Sequence, residues 1–310
     1  MRVIVTGGAG FIGSHVAERL LVAGHDVAII DDLSTGHRSN VPEAATFFEC
    51  DIRDERIAAI FAEFQPEAVC HLAAQMSVRI SVEEPRRDAS INVEGAVNLL
   101  EAAVSTSRPK VIYASTGGAM YGEPRWLPCD EQHPVVPLSQ YGISKHTVEH
   151  YLELYSGLYG LNYTALRLPN VYGPRQDPHG EAGVVSIFAG QMLAGSGITI
   201  FGDGAQERDF VYVSDVARGF EIALTRGSRM SINLGSGRGT SVLEIRDELA
   251  ALIGRPIETR FQPARPGEVY RIFLTGDLAA DQLGWQPEVS LAEGLSQTLD
   301  WVRESTVVAV

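Results

Sequence analysis

Over the first half of the chain, short β-branched runs alternate with longer stretches of helical apolar spacing. Val3–Thr6, Val27–Ile30, Thr46–Glu49, Ala68–Leu72 and Lys110–Ala114 have the length and composition of strands, and Ser14–Ala23, Arg53–Phe64 and Ile91–Val104 have the length of helices. Strands separated by helices of that length read as crossover units on a parallel sheet covered on both faces. Tyr163–Leu168 adds a further strand, and the run Gly173–Gly183 is too rich in Gly and Pro to extend either regular structure, so a second region begins there. Ser241-Val-Leu-Glu244 and Ser290-Leu-Ala-Glu293 each have the Ser-x-x-Glu form that opens a helix. Gly254 punctuates the first of these helices, and Ser231–Leu234 is placed to return to the main sheet.

The first strand runs straight into Thr6-Gly-Gly-Ala-Gly-Phe-Ile-Gly13, after which Val16, Leu20 and Leu21 supply a helical apolar face. A strand, a glycine loop and a helix in that order cradle a pyrophosphate: glycines let the backbone turn tightly and approach the anion, and the helix N-terminus offers unpaired N–H groups. Gly8/Gly10/Gly13 and Gly7/Gly10/Gly13 both fit the spacing. Asp31 ends the second strand 18 positions after Gly13, close to the ~20 expected of a carboxylate that binds an adenosine ribose. Acid at that position repels a 2′-phosphate and so favours NAD over NADP; Asp32 is placed to share the role.

Further along, Tyr141-Gly-Ile-Ser-Lys145 puts a phenol and an ammonium on one helix face. A tyrosine base at neutral pH needs its pKa lowered from ~10 by about 3 units, roughly 4 kcal/mol, and a neighbouring cation is the means.

Composition narrows the class. Of 310 residues 45% are hydrophobic, and 25 basic against 39 acidic side chains leave a net charge of −14, which gives no footprint for nucleic acid or an anionic bilayer. Cys50, Cys70 and Cys129 lack metal spacing and suit a reducing compartment. Neither a signal-peptide pattern nor a run approaching ~18 apolar residues is present, so the expected location is the cytoplasm. His15, His71, His146 and His150 form no convincing ligand set, and no metal is expected.

Together the glycine loop, Asp51-Ile52, His71-Leu-Ala-Ala74, Asn92, Ser115-Thr-Gly-Gly-Ala-Met-Tyr-Gly122, Tyr141-x-x-x-Lys145 and Asn170-Val-Tyr-Gly-Pro174 resemble the extended short-chain dehydrogenases/reductases, in the nucleotide-sugar epimerase branch. The resemblance covers nearly the whole chain and includes Gly202-Asp-Gly204, Arg208-Asp-Phe210 and Leu283-Gly-Trp285. It implies an α/β fold: a doubly wound parallel (Rossmann) sheet from residues 1–169 and about 212–240, with a smaller, discontinuous α/β nucleotide-sugar domain from about 170–211 and 241–310. It implies NAD as cofactor, contacted by Gly7, Gly10, Phe11, Ile12, Gly13, Asp31, Asp32, Asp51, Ile52, Leu72, Ala73, Ala74, Asn92, Tyr141 and Lys145. A UDP-hexose substrate would meet Ser77, Thr116, Tyr141, Asn170, Arg208 and Arg265. Tyr141 would be the base at the sugar 4-hydroxyl, with Lys145 tuning it.

One departure stands out: the family's usual serine falls on Gly117, leaving Thr116, with Ser115 as the alternative, to supply the hydroxyl. Related 4,6-dehydratases carry Thr-Asp-Glu where this chain has Thr116-Gly-Gly, so dehydration lacks its carboxylates. The expected reaction interconverts UDP-glucose and UDP-galactose through a 4-keto intermediate. The sugar-side positions Met76, Ser77, Val78 and Ile272 leave UDP-glucuronate, with Arg79 or Arg175 as carboxylate partner, and UDP-N-acetylglucosamine open. A non-catalytic NAD sensor is the competing class. The apolar faces of Ile91–Val104 and Thr147–Leu158 exceed what one core face needs; core packing is one reading of them, and the resemblance implies that they pair in a homodimer.

Overall fold

A computed structural model describes residues 1–178, 183–264 and 268–307. The first half supplies β1 (Arg2–Thr6), α1 (Phe11–Val22), β2 (Asp26–Asp31), β3 (Thr46–Glu49), α2 (Arg56–Phe64), β4 (Ala68–His71), α3 (Val78–Glu83), α4 (Pro85–Ala89), α5 (Gly95–Ser105), β5 (Lys110–Thr116), α6 (Gln140–Tyr159) and β6 (Tyr163–Leu168). A π-helical turn over Ser90–Glu94 joins α4 to α5, so the helix expected from Ile91 belongs to a longer helical run that starts at Pro85. There follow β7 (Asn170–Tyr172), α7 (Val184–Leu193), β8 (Ile198–Phe201), β9 (Glu207–Arg208), β10 (Phe210–Tyr212), α8 (Val213–Ala223) and β11 (Met230–Asn233). The chain ends with β12 (Thr240–Ser241), α9 (Val242–Ile253), β13 (Thr259–Gln262), β14 (Arg271–Ile272), α10 (Asp277–Leu283) and α11 (Leu291–Val307).

Among the described residues the main sheet has seven strands in the order β11-β6-β5-β4-β1-β2-β3, every pair parallel. The order reverses between β1 and β4, and ligands of doubly wound folds bind in the crevice beyond the carboxyl ends of the strands at such a point. Side chains alternate across the sheet. Val3, Val5, Val27, Ile29, Cys70, Ile112 and Leu166 pack under α1, α8 and α10, while Ile4, Ala28, Ile30, Val69, Val111 and Tyr113 pack under α2, α5 and α6. Burial on both faces explains the near-continuous apolar strands.

β7 pairs with β10, β8 with β13, and β9 with both β12 and β14, around a second core of Tyr172, Val185, Phe188, Ile200, Ile245, Leu249, Leu295 and Leu299. Ser241 opens α9 with a reciprocal capping box to Glu244, and Gly254 closes it in the left-handed conformation. Ser290 accepts from the Glu293 N–H at the start of α11. Ala279, Leu283 and Trp285, beyond residue 241, belong to the main-sheet core.

Candidate active site

The glycine loop meets the loop after β4 across the sheet's switch point. Gly7 has φ +72, and a Cβ there would lie 2.7 Å from the Ala73 backbone nitrogen; one on Gly13 would lie 2.0 Å from the Gly7 carbonyl oxygen. Gly10 is the N-cap of α1, where no side chain caps the open N–H groups of the first turn. The space at Gly8 is instead filled by the Ile29 side chain, so the register that shapes the cradle is Gly7/Gly10/Gly13.

At the end of β2 the buried Asp31 carboxylate accepts from the Ala9 N–H at 3.0 Å through Oδ2 and from the Leu33 N–H at 2.9 Å through Oδ1. Burial raises its pKa and the two N–H bonds oppose that. A carboxylate has about four acceptor positions, so two are left for ribose hydroxyls. Asp32 is exposed and turned onto Ser34. Asp51 is forked by Arg53, whose hydrogen bond holds the carboxyl below the usual range, and Asn98 holds the carbonyl of buried Ile52. The open helix terminus, the cradle that a Cβ would fill and the half-satisfied Asp31 fit a dinucleotide.

On the other side of the crevice Thr6 Oγ1 accepts the Leu72 and Ala73 N–H groups, each at 3.2 Å. The same oxygen shares a hydrogen bond with His71 Nδ1, 2.7 Å away. Burial and the Lys145 charge pull the His71 pKa down to about 3. Next along, Asn92 donates to the Gln75 carbonyl and to Asp88 Oδ1 and accepts the Gln75 N–H. Through the Gln75 N–H and carbonyl it braces the loop that follows Ala74, and its second amide hydrogen ties it to Asp88 on α4. Ser77 accepts from the Ile80 N–H as the N-cap of α3.

Tyr141 and Lys145 lie one turn apart near the start of α6, which Ser139 caps. The Thr116 hydroxyl, at the end of β5, accepts the Ala119 N–H at 3.3 Å and lies near enough to Tyr141 to favour its phenolate. Burial and the Asp88 charge nonetheless push the phenol up to about 12. Lys145 Nζ donates to the Ala114 carbonyl at 2.9 Å and lies 5.0 Å from the Tyr113 ring and 5.8 Å from the Tyr141 ring. Burial lowers its pKa to about 8, with Asp88 opposing. At neutral pH the pair is thus neutral phenol and ammonium, and forming the phenolate takes a further positive charge in the cleft.

The two hydroxyls that compete for the missing serine's place point differently. Ser115 donates to Glu149 Oε1 at 2.6 Å beneath α6, whereas Thr116 faces Tyr141. Gly117 has no room for a side chain, since a Cβ would stand 2.2 Å from Leu274 Cδ1. Leu274 thus occupies the volume a serine would need.

Towards the second core, the Asn170 side chain borders Gly118. Arg208 Nη1 donates to the Glu207 and Tyr270 carbonyls at 2.9 and 3.2 Å and makes no ion pair among the described residues. Arg265 lies outside the described residues. Ile272 is buried with Met120, Tyr121, Cys129 and Leu274.

Sequence reasoning passed over Asp88, Glu149, Arg167 and Leu274. Asp88 is fully buried, accepts from Gln75, Asn92 and Ser144, and lies close enough to act on Tyr141 and Lys145 by charge. The signal for Glu149 was present, four residues after Lys145 on the same helix face.

A model of the NAD dependent epimerase/dehydratase family matches residues 3–235. The UDP-glucose 4-epimerase of Mycolicibacterium smegmatis is 45% identical over 312 residues, 99% of this chain and all of that protein. A crystal structure of the Thermotoga maritima UDP-glucose 4-epimerase with UDP-glucose superposes with a TM-score of 0.97 at 47% identity, covering 99% of this chain and 100% of that one. That of the Thermus thermophilus UDP-glucose 4-epimerase complex with NAD gives 0.93 at 46%, covering 98% and 99%.

Proposed function

The chain belongs to the NAD-dependent epimerase/dehydratase family, and on that premise we propose how its residues invert a sugar carbon. It interconverts UDP-glucose and UDP-galactose by NAD-dependent epimerisation at C4, through a 4-keto intermediate. Bound NAD supplies the oxidant for the first half-reaction and the reductant for the second. Tyr141 takes the 4-hydroxyl proton and returns it, Thr116 holds the sugar oxygen against the phenol, and Lys145 favours the phenolate by its charge.

The single observation carrying this assignment is the buried Lys145, anchored on the Ala114 carbonyl at 2.9 Å with its Nζ 5.8 Å from the Tyr141 ring one helical turn away. The N–H groups of Phe11, Ile12 and Gly13 receive the pyrophosphate, Asp31 with Asp32 beside it receives the adenosine ribose, and Asp51 and Ile52 border the adenine. Leu72, Ala73 and Ala74 line the cleft, and Asn92 holds their loop. Asn170, Arg208 and Arg265 grip the UDP, with Ser77 at the sugar side. Arg208, with no ion pair among the described residues, suits a diphosphate. Firm hold on the nucleotide retains the keto intermediate while the sugar turns over.

The exposed Ile143, Leu154 and Leu158 on α6 support a homodimer built on this helix. A cytoplasmic setting accords with three buried free thiols, and among the described residues no helix is long and apolar enough to cross a membrane.

The test is UDP-galactose carrying deuterium at C4. Retention of the label in UDP-glucose, with no net coenzyme reduction, is expected; loss of the label to solvent, or stoichiometric reduced coenzyme, overturns the reading.

A further inference from the structure

Directly beneath the catalytic helix lies a buried ion pair that the chemistry above does not use. Glu149 on α6 is 6% exposed, as is Arg167 on β6. Glu149 Oε1 accepts from Ser115 Oγ at 2.6 Å and Arg167 Nε at 3.1 Å; Oε2 accepts from Arg167 Nη2 at 2.7 Å and Ser231 Oγ at 3.1 Å. The donors come from β5, β6 and β11, three adjacent strands. A single carboxylate, all of its acceptor positions filled, thus pins α6 to the sheet one turn beyond Lys145. Its tie to Ser115 falls between Ala114, which holds Lys145, and Thr116, which meets Tyr141.

The pair also reaches out of the sheet. Arg167 Nη1 donates to Tyr121 Oη at 2.9 Å, and Tyr121 Oη donates to Asn233 Oδ1 at 2.8 Å. Asn233 Nδ2 donates in turn to the Cys129 carbonyl at 3.1 Å, and the Cys129 N–H bonds the Phe273 carbonyl beside Leu274. Every donor in this chain points the same way, from the guanidinium to the segment whose leucine packs on Gly117. Replacing a buried ion pair by apolar groups is often neutral or stabilising, so stability alone does not account for this arrangement. A fixed geometry between helix and wall does.

We propose that Glu149 and Arg167, acting through Tyr121, are positioning residues that hold Tyr141, Lys145 and Thr116 in register with the Leu274 wall. The inference rests on the epimerase reading, because that wall matters only if a sugar turns between it and the phenol. Loss of the link shifts the reacting atoms by fractions of an ångström and leaves the nucleotide contacts untouched. The expected result is a lower kcat at unchanged KM, with more keto intermediate escaping and reduced coenzyme left on the protein.

The experiment uses the NAD-loaded protein with Tyr121→Phe, which keeps the ring in its cluster, and with Arg167→Lys, which keeps the charge opposite Glu149 and removes the fork. Each is expected to lower kcat roughly 10- to 100-fold, leave KM for UDP-galactose within about twofold, and raise the near-ultraviolet absorbance of bound reduced coenzyme during turnover. Wild-type kcat and absorbance in both variants overturn the proposal, as does a loss that tracks the folded fraction measured by circular dichroism. A wild-type protein that exchanges no UDP-sugar overturns the reaction assignment instead, which separates the two failures.

Discussion

Gly117→Ser restores the hydroxyl at the family's usual position, yet the structure predicts that it harms this protein. The new Cβ would stand 2.2 Å from Leu274 Cδ1, 3.1 Å from Cδ2 and 3.2 Å from Cγ. Ordinary carbon contacts begin near ~3.5 Å, so the leucine has to retreat by more than ~1 Å. It has nowhere to go. Its side chain is 1% exposed among Met120, Tyr121, Cys129 and Ile272, its N–H is held by Asp209 Oδ2 at 3.1 Å, and its carbonyl accepts the Gly237 N–H at 2.9 Å. Overpacking of this kind costs about 1–3 kcal/mol. Leu274→Ala alone leaves a cavity costing roughly 2–5 kcal/mol, but in the double variant the serine fills part of that space. The two costs therefore fail to add, by about 1–3 kcal/mol. Denaturant unfolding of the four proteins measures the coupling, and epimerisation assays run beside it should show Thr116→Val losing roughly 10²–10³ in kcat. The reasoning is refuted if Gly117→Ser matches the wild type in stability, or if Thr116→Val keeps full activity.

Other consequences are open to measurement. Tyr141→Phe should lose about 10²–10⁴ in kcat while still binding NAD; near-complete activity would remove the assigned base. His71 is held neutral with a folded pKa of about 3, whereas the unfolded ring titrates near ~6.5. The unfolded state therefore binds the extra proton, and stability falls by up to about 1.4 kcal/mol per pH unit as pH drops below ~6.5 towards the folded value. His71→Gln should flatten that slope in denaturant titrations at pH about 7 and about 5; parallel slopes in the two proteins contradict it. Leu154→Glu combined with Leu158→Glu should convert a dimer into monomers in sedimentation velocity, and a wild type that is already monomeric ends that proposal.

What could be read from the sequence was what repeats or is local. β3 and β6 fall at their expected bounds, and the β11 return is visible in the Ser231–Leu234 run. The strands β7, β9, β10, β12 and β14 are two or three residues long, too short to carry a period, and form only because distant segments meet. Spacing leaves the glycine register undecided, because what distinguishes Gly7 from Gly8 is the neighbour each meets, the segment after β4 for one and Ile29 of β2 for the other. Likewise Gly117 looked like a missing group until Leu274, 157 residues away in sequence, was seen to occupy its place. Glu149 and Arg167 are 18 apart in sequence on different element types, and no periodic pattern announces a pair that forms only when a helix lies down on a sheet.

Asp31 serves two ends at once. The same carboxylate that we assign to the coenzyme's ribose fastens the backbone of the glycine loop at Ala9 and the turn at Leu33, and a Cβ on Gly36 would lie only 3.0 Å from its Oδ1. Exchanging it for a neutral or basic residue to admit a phosphorylated coenzyme would remove two bonds that brace the loop we assign to the dinucleotide. A lineage changing its coenzyme would thus have to rebuild the brace before it could relax the preference, which makes coenzyme choice here a late and difficult trait to evolve.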